Sequence, residues 1–171
     1  GLLQSATAYT ATARVGLRDS EGRLLSGPQS FSFNTAPLSF LGARQVNFDP
    51  NMNAATYELK FSLPVSPAKL RGYTDVTDGS GAALDYRVQQ GPVSRLVRIN
   101  VSSRANVKDV LIKLAKGLPS EEGMLGLETQ RTVRVSKKVK MEILDSNAMS
   151  NINNGEIYIG TTAPVDFARA P

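Results

Sequence analysis

The sequence predicts an all-β protein built as an antiparallel β-sandwich. Three observations carry that expectation. Apolar and polar residues alternate in run after run. The runs are short and separated by clusters of Gly, Pro, Asn, Asp and Ser. One strand–turn–strand pattern is written twice, about a hundred residues apart.

Taken in order, residues 8–15 (AYTATARV) set Tyr9, Ala11, Ala13 and Val15 against Thr and Arg, the period of a half-buried strand. SFSFNT puts Phe31 and Phe33 on one face. TYELKFSL puts Tyr57, Leu59, Phe61 and Leu63 on one face and Glu58, Lys60 and Ser62 on the other. Ser66 and Pro67 suit the cap and first position of a short helix over residues 66–73. RLVRINVS sets Val97, Ile99 and Val101 against Arg98 and Asn100. VKDVLIKLAKGL aligns Val110, Ile112 and Leu114, and RTVRVSKKVKMEI alternates Val133 and Val135 with Thr132, Arg134 and Ser136. DPNMNA, TDGSGA and LPSEEGM are turns between such runs.

The repeat sets the scale of the unit. GLRDSEGRLL begins at Gly16 and GLPSEEGMLG at Gly117, 117 − 16 = 101 positions later. Leu17/Leu118, Glu21/Glu122, Gly22/Gly123 and Leu24/Leu125 keep the offset, Tyr9 falls on Val110, and Ala11 on Ile112. Phe31 and Phe33 meet Val133 and Val135 with one residue of slip. A second match lies at 164 − 64 = 100: Pro64–Val65 and Pro164–Val165 each follow a strand, with Leu59 on Ile159 and Ser66 on Asp166. A period near 100 residues is that of an immunoglobulin-like sandwich. The chain therefore reads as the closing strands of one sandwich (1–36), a complete sandwich (37–137) and the opening strands of a third (138–171). The alternative is one larger sandwich with extra strands. Half-sandwiches expose an apolar face and unpaired edges, so the flanks must pack on the central unit, on each other or on another chain, or stay disordered.

Composition narrows the function. The 171 residues are 41% hydrophobic and 20% charged, the balance of a folded soluble chain. There is no Cys, hence no disulfide or thiolate chemistry, and no His, the commonest general base and metal ligand. The net charge is +5, yet the basic residues are spread along the chain and Trp is absent, which argues against nucleic-acid binding. No apolar run of about 18 residues is present to insert into a membrane. Without an n-region or h-region at the start, any signal peptide is expected outside these residues, and the leading Gly reads as a tag scar on a cut fragment.

Three stretches together resemble a known family: YTATARVGLRDSEGRLLSGPQSFSFNT, YELKFSLPVSPAKLRGYTDV and VLIKLAKGLPSEEGMLGLE. They are similar to the amino-terminal macroglobulin-like domains of bacterial alpha-2-macroglobulins, most firmly over residues 37–137. The resemblance implies a scaffold segment of a very large extracytoplasmic protease-trapping protein, periplasmic or elsewhere in the bacterial cell envelope. Its partners would be neighbouring immunoglobulin-like domains of the same chain, with target proteases met only through other parts. The family's thioester needs Cys, which is absent, and no stretch reads as a cleavable bait. A second reading is a stalk or ligand-binding repeat of a bacterial adhesin or surface protein. A third, an accessory sandwich of a carbohydrate-active enzyme, predicts a row of exposed aromatics where this chain has only 6% aromatic residues.

No residue is singled out as catalytic, cofactor-binding or metal-ligating, and the chain is not expected to be an enzyme. Asp49, Asn51 and Asn53 have calcium-loop spacing, but Ala54 and Lys60 stand where Gly and Glu are needed, so a turn is expected. Asp145, Asn147 and Glu156 are assigned to an inter-strand loop, and Asp75, Asp78 and Asp85 to an acidic hairpin around GSG. Arg134, Lys137, Lys138 and Lys140 read as an edge strand or linker protected by lysines, with an acidic partner or lipid headgroups as the rival. Glu121 and Glu122 are neighbours in a turn, where they do not face each other across a cleft. Tyr9, Phe31, Phe33, Tyr57 and Phe61 are expected in cores.

Overall fold

A computed structural model describes residues 2–13, 15–24, 26–27, 29–103, 106–139, 143–150 and 155–161, the last two segments by their backbone. The strands in chain order are β1 (Ala8–Ala13), β2 (Gln29–Asn34), β3 (Phe40–Asp49), β4 (Ala54–Val65), β5 (Thr74–Asp78), β6 (Tyr86–Val88), β7 (Ser94–Ser102), β8 (Asp109–Leu114), β9 (Arg131–Ser136), β10 (Ile143–Ser150) and β11 (Gly155–Thr161). One short helix, α1 (Pro67–Leu70), runs on into a 3-10 turn at Arg71–Tyr73.

All pairing among the described strands is antiparallel. One sheet has the order β3-β4-β7-β6 and a second β5-β8-β9, while β1-β2 and β10-β11 are separate hairpins. The alternating residues of β4, β7 and β8 supply the core: Tyr57, Leu59, Phe61, Val97, Ile99, Val101, Val110, Ile112 and Leu114 are all buried. Leu38, Leu70, Leu118 and Leu127 from the connections join the same cluster. Each such side chain contributes about 1.5–3 kcal/mol of burial. The result is a β-rich, sandwich-like body over residues 37–137, whose four-stranded sheet keeps one face for solvent.

At α1 the expected helix forms, and Pro67 starts it. Ser66 occupies the cap position, but its hydroxyl makes no capping bond. The segment is held instead by burial of Leu70 and by the Thr74 hydroxyl, which donates to the Leu70 carbonyl at 2.8 Å.

The repeat persists in the backbone. β1 and β8 are displaced at both ends by 109 − 8 = 101 positions, and β2 and β9 by 131 − 29 = 102, the expected one-residue slip. Gly16 and Gly117 hold φ of +95° and +87°, and Gly22 and Gly123 hold +81° and +76°. The turns thus need glycine at the same two places, because a Cβ is strained in that region. The bond that closes the first hairpin, from the Thr35 amide to the Thr7 carbonyl at 3.0 Å, has its counterpart from Lys137 to Lys108 at 2.7 Å. At the other end of the unit, β3-β4 closes at Asp49↔Ala54 and β10-β11 at Ser150↔Gly155, again 150 − 49 = 101 apart. Pro164, Val165 and Asp166, the second half of the Pro-Val match, lie outside the described residues.

Two expectations fail. Tyr57 and Phe61 are buried, but Phe31 is 64% exposed, and Tyr9 and Phe33 are only half-buried. The three rings stack along the hairpin, Tyr9 on Phe33 at 5.5 Å and Phe31 on Phe33 at 5.4 Å. No second sheet covers them among the described residues; of their counterparts, Val110 is fully buried, while Val133 and Val135 are half-buried against the core. Secondly, Asp145, Asn147 and Glu156 stand within β10 and β11 rather than in a loop, because the hairpin register runs through them.

Candidate functional site: the charged outer face of the four-stranded sheet

Strand register builds this face row by row. Gly42, Lys60 and Leu96 form one row across β3, β4 and β7. Arg44, Glu58 and Arg98 form the next. Asn47, Thr56 and Asn100 form a third, and Arg87 of β6 extends it.

Glu58 sits at the centre and is only 5% exposed although it points away from the core. Two guanidinium groups cover it. Nε and Nη2 of Arg44 donate to Oε1 at 3.2 and 3.1 Å, and the same atoms of Arg98 donate to Oε2 at 3.2 and 3.1 Å. Each carboxylate oxygen is thereby held by a planar fork, the geometry that gives charge-assisted pairs their direction. In the third row Thr56 and Gln89 both donate to Oδ1 of Asn100 at 2.9 Å.

Two open grooves meet at Glu58 and Leu96. The larger, about 750 Å³, is lined by Leu41, Gly42, Arg44, Lys60, Arg95 and Leu96 among others. The smaller, about 220 Å³, runs over Gln89, Gln90, Pro92, Ser94 and Arg98. Gly42 leaves the floor of the larger groove bare, since a Cβ there would meet nothing within 4 Å.

The candidate residues from the sequence fall elsewhere and act structurally. Oδ1 of Asp49 accepts the amides of Asn51 and Met52 at 2.9 and 3.2 Å, while Asn53 closes the turn at φ +46°. Oδ1 of Asp78 accepts the Ser80 hydroxyl and the amides of Ser80 and Ala82. These bonds, the Ser80 hydroxyl first, hold its carboxyl below the usual aspartate range. Glu121 pairs with Lys69 at 2.8 Å, and the Glu122 carbonyl accepts the Ser120 hydroxyl. Asp75 and Asp85 do not converge with Asp78: among the described residues no group of three His, Cys, Asp or Glu is placed to hold a metal. Of the basic stretch, Arg134 lies on edge strand β9, and Lys137 and Lys138 follow it; Lys140 is outside the described residues. Lys137 donates to Asn53 at 2.8 Å and lies 5.3 Å from the centre of the Phe48 ring, and burial pushes its pKa down.

Two buried contacts fasten the flanks to the body. Gln45, 3% exposed, exchanges a pair of bonds with the Lys138 backbone: its Nε2 donates to the carbonyl at 2.7 Å and its Oε1 accepts the amide at 2.9 Å. At the opposite junction the Ala6 carbonyl accepts the amides of Met124 and Leu125 at 2.8 and 2.7 Å. Ala6 is fully buried at φ +48°.

Sequence reasoning missed the Arg44–Glu58–Arg98 row because only register brings β3, β4 and β7 together there. The signal present was a lone Glu between apolar residues, which the period assigned to solvent. Chemically, the face offers fixed cationic donors and small apolar recesses; it carries no nucleophile–base pair. No helix among the described residues is long and apolar enough to cross a membrane. In comparisons with known proteins, no family model, no curated protein and no solved structure matches this chain.

Proposed function

We propose that this chain is a non-catalytic scaffold segment of a bacterial alpha-2-macroglobulin-like, protease-trapping protein of the cell envelope. Residues 37–137 are its complete immunoglobulin-like, macroglobulin-like sandwich, and residues 1–36 and 138–171 are pieces of the sandwiches on either side. The observation that carries this reading is the repetition of strand ends, glycine turns and hairpin closures at offsets of 101 to 102 positions, on both sides of a seven-stranded body. A chain that rewrites the same sandwich in tandem is a spacer that sets distances between parts located elsewhere. The family itself rests on the resemblance in the three stretches around Gly16, Pro64 and Gly117. The buried junctions at Ala6 and Gln45 support rigid coupling between successive units.

The test is to mix the parent protein with a broad-specificity protease. On this reading the parent retains the protease on size exclusion and shields it from large substrates, and mass spectrometry places the cleavage outside residues 37–137. A parent that leaves the protease free, or that is cut within this body, contradicts the reading and favours a surface-adhesin stalk.

A further inference from the structure

The outer face of the β3-β4-β7-β6 sheet carries more cationic charge than its scaffold role needs. Its four strands and their rims present Arg44, Lys60, Arg87, Arg95 and Arg98. Against them stand three acidic residues, one of them Asp85 at the head of β6. Asp49 is occupied by its own turn amides, and Glu58 by two guanidinium groups. Lys60, Arg87 and Arg95 are exposed and have no acidic partner among the described residues. Leu41 and Leu96 stand 56% and 47% exposed in the same larger groove, above the bare floor at Gly42.

We infer that this groove binds an extended acidic peptide segment of a partner protein, with carboxylates at alternate positions on either side of one leucine-sized side chain. Alternate side chains of an extended chain lie about 6.5–7 Å apart on one face. Lys60 stands beside Leu96 in the same cross-strand row and Arg95 precedes Leu96 in β7, so an apolar side chain resting on Leu41 and Leu96 puts the carboxylates on either side of it within reach of these two long cationic side chains. Charge complementarity selects the occupant. The Arg44–Glu58–Arg98 row fixes one wall of the groove, which leaves the ordering of Lys60 and Arg95 as the main side-chain cost of binding. The recess is concave, which suits a strand better than a flat bilayer. The face carries no exposed aromatic ring, since Phe61 is buried, so stacked nucleotides have no platform. This inference stands whether or not the parent traps proteases.

Fluorescence anisotropy of the whole chain with a labelled peptide containing Glu-Thr-Leu-Thr-Glu tests it. Saturable binding is expected, weakening about tenfold between about 50 and 300 mM salt. The Gln-Thr-Leu-Thr-Gln peptide and the Lys60→Glu/Arg95→Glu variant should each lose about tenfold or more in affinity. Circular dichroism checks that the variant stays folded, and Leu96→Ser provides a second, uncharged lesion that should also weaken binding. Absence of saturable binding, equal affinity for the two peptides, or full affinity in the charge-reversed variant would overturn the proposal. So would binding to phosphatidylglycerol vesicles with none to the peptide.

Discussion

Gly123 lies so close to Ala6 that no side chain fits between them. A Cβ on Gly123 would overlap the backbone oxygens of Ser5 and Ala6, and its φ of +76° is itself glycine territory. Gly123→Ala should therefore open the junction between the first hairpin and the sandwich-like body. The expected result is faster hydrogen exchange at the amides of Met124 and Leu125, and trimming of residues 1–36 by protease while the central core persists. Gly22→Ala is the control: it has a similar φ of +81° but nothing within 4 Å, so it should cost only about 1 kcal/mol of local strain.

The Tyr57 hydroxyl is buried, has no hydrogen-bond partner among the described residues, and is pushed up in pKa by burial. Its ring belongs to the core, but its oxygen contributes only a desolvation penalty, commonly about 1–3 kcal/mol for a buried polar group. Tyr57→Phe should leave thermal stability unchanged or raise it. A clear fall in the melting midpoint would mean that the hydroxyl is satisfied after all.

Glu58 shows how far the sequence could be read. Its position in the alternation puts it on the solvent face, and it is there; its burial comes from Arg44 and Arg98, two strands whose register no local pattern reveals. The same limit hid β3 itself. Bulges near Leu41 and Val46 shift its pairing, so the inward residues Ala43, Gln45 and Phe48 do not keep period 2. β5 and β6 are too short to show a period, and β10 mixes polar and apolar residues. By contrast, β4, β7 and β8 were legible because each buries one clean face. The glycine turns were legible because positive φ leaves few alternatives to glycine. Phe31 was misplaced because alternation reports that a strand has an apolar face, not that another sheet is present to cover it.

The Glu58 row should be worth little to stability despite its buried carboxylate. Both arginine side chains are more than half exposed, so they regain water when the partner is lost. Glu58→Ala should cost about 1–2 kcal/mol, below the ~3–5 expected for breaking a pair buried on both sides. Ile112→Ala in the core should cost about 2–5 kcal/mol. Urea denaturation of the two variants side by side checks the order, and a larger loss for Glu58→Ala contradicts it.

Asp78 makes a prediction about acid. Its turn bonds depress its pKa below the ordinary 3.8, so its stabilising contribution is complete above that value and disappears as pH falls through the folded pKa. Carboxyl NMR titration should place its midpoint below that of an unfolded-chain aspartate. In Asp78→Asn the fall in stability below about pH 4 should be shallower.

If residues 37–137 form a self-sufficient sandwich between two hairpins that repeat parts of it, they should fold without either hairpin. The most direct measurement is the thermal unfolding of residues 37–139 alone, followed by circular dichroism. One cooperative transition is expected, with an unfolding enthalpy in the range for about 100 residues, roughly 60–80 kcal/mol. A fragment that shows no cooperative transition, while the whole chain unfolds in a single step, would contradict it.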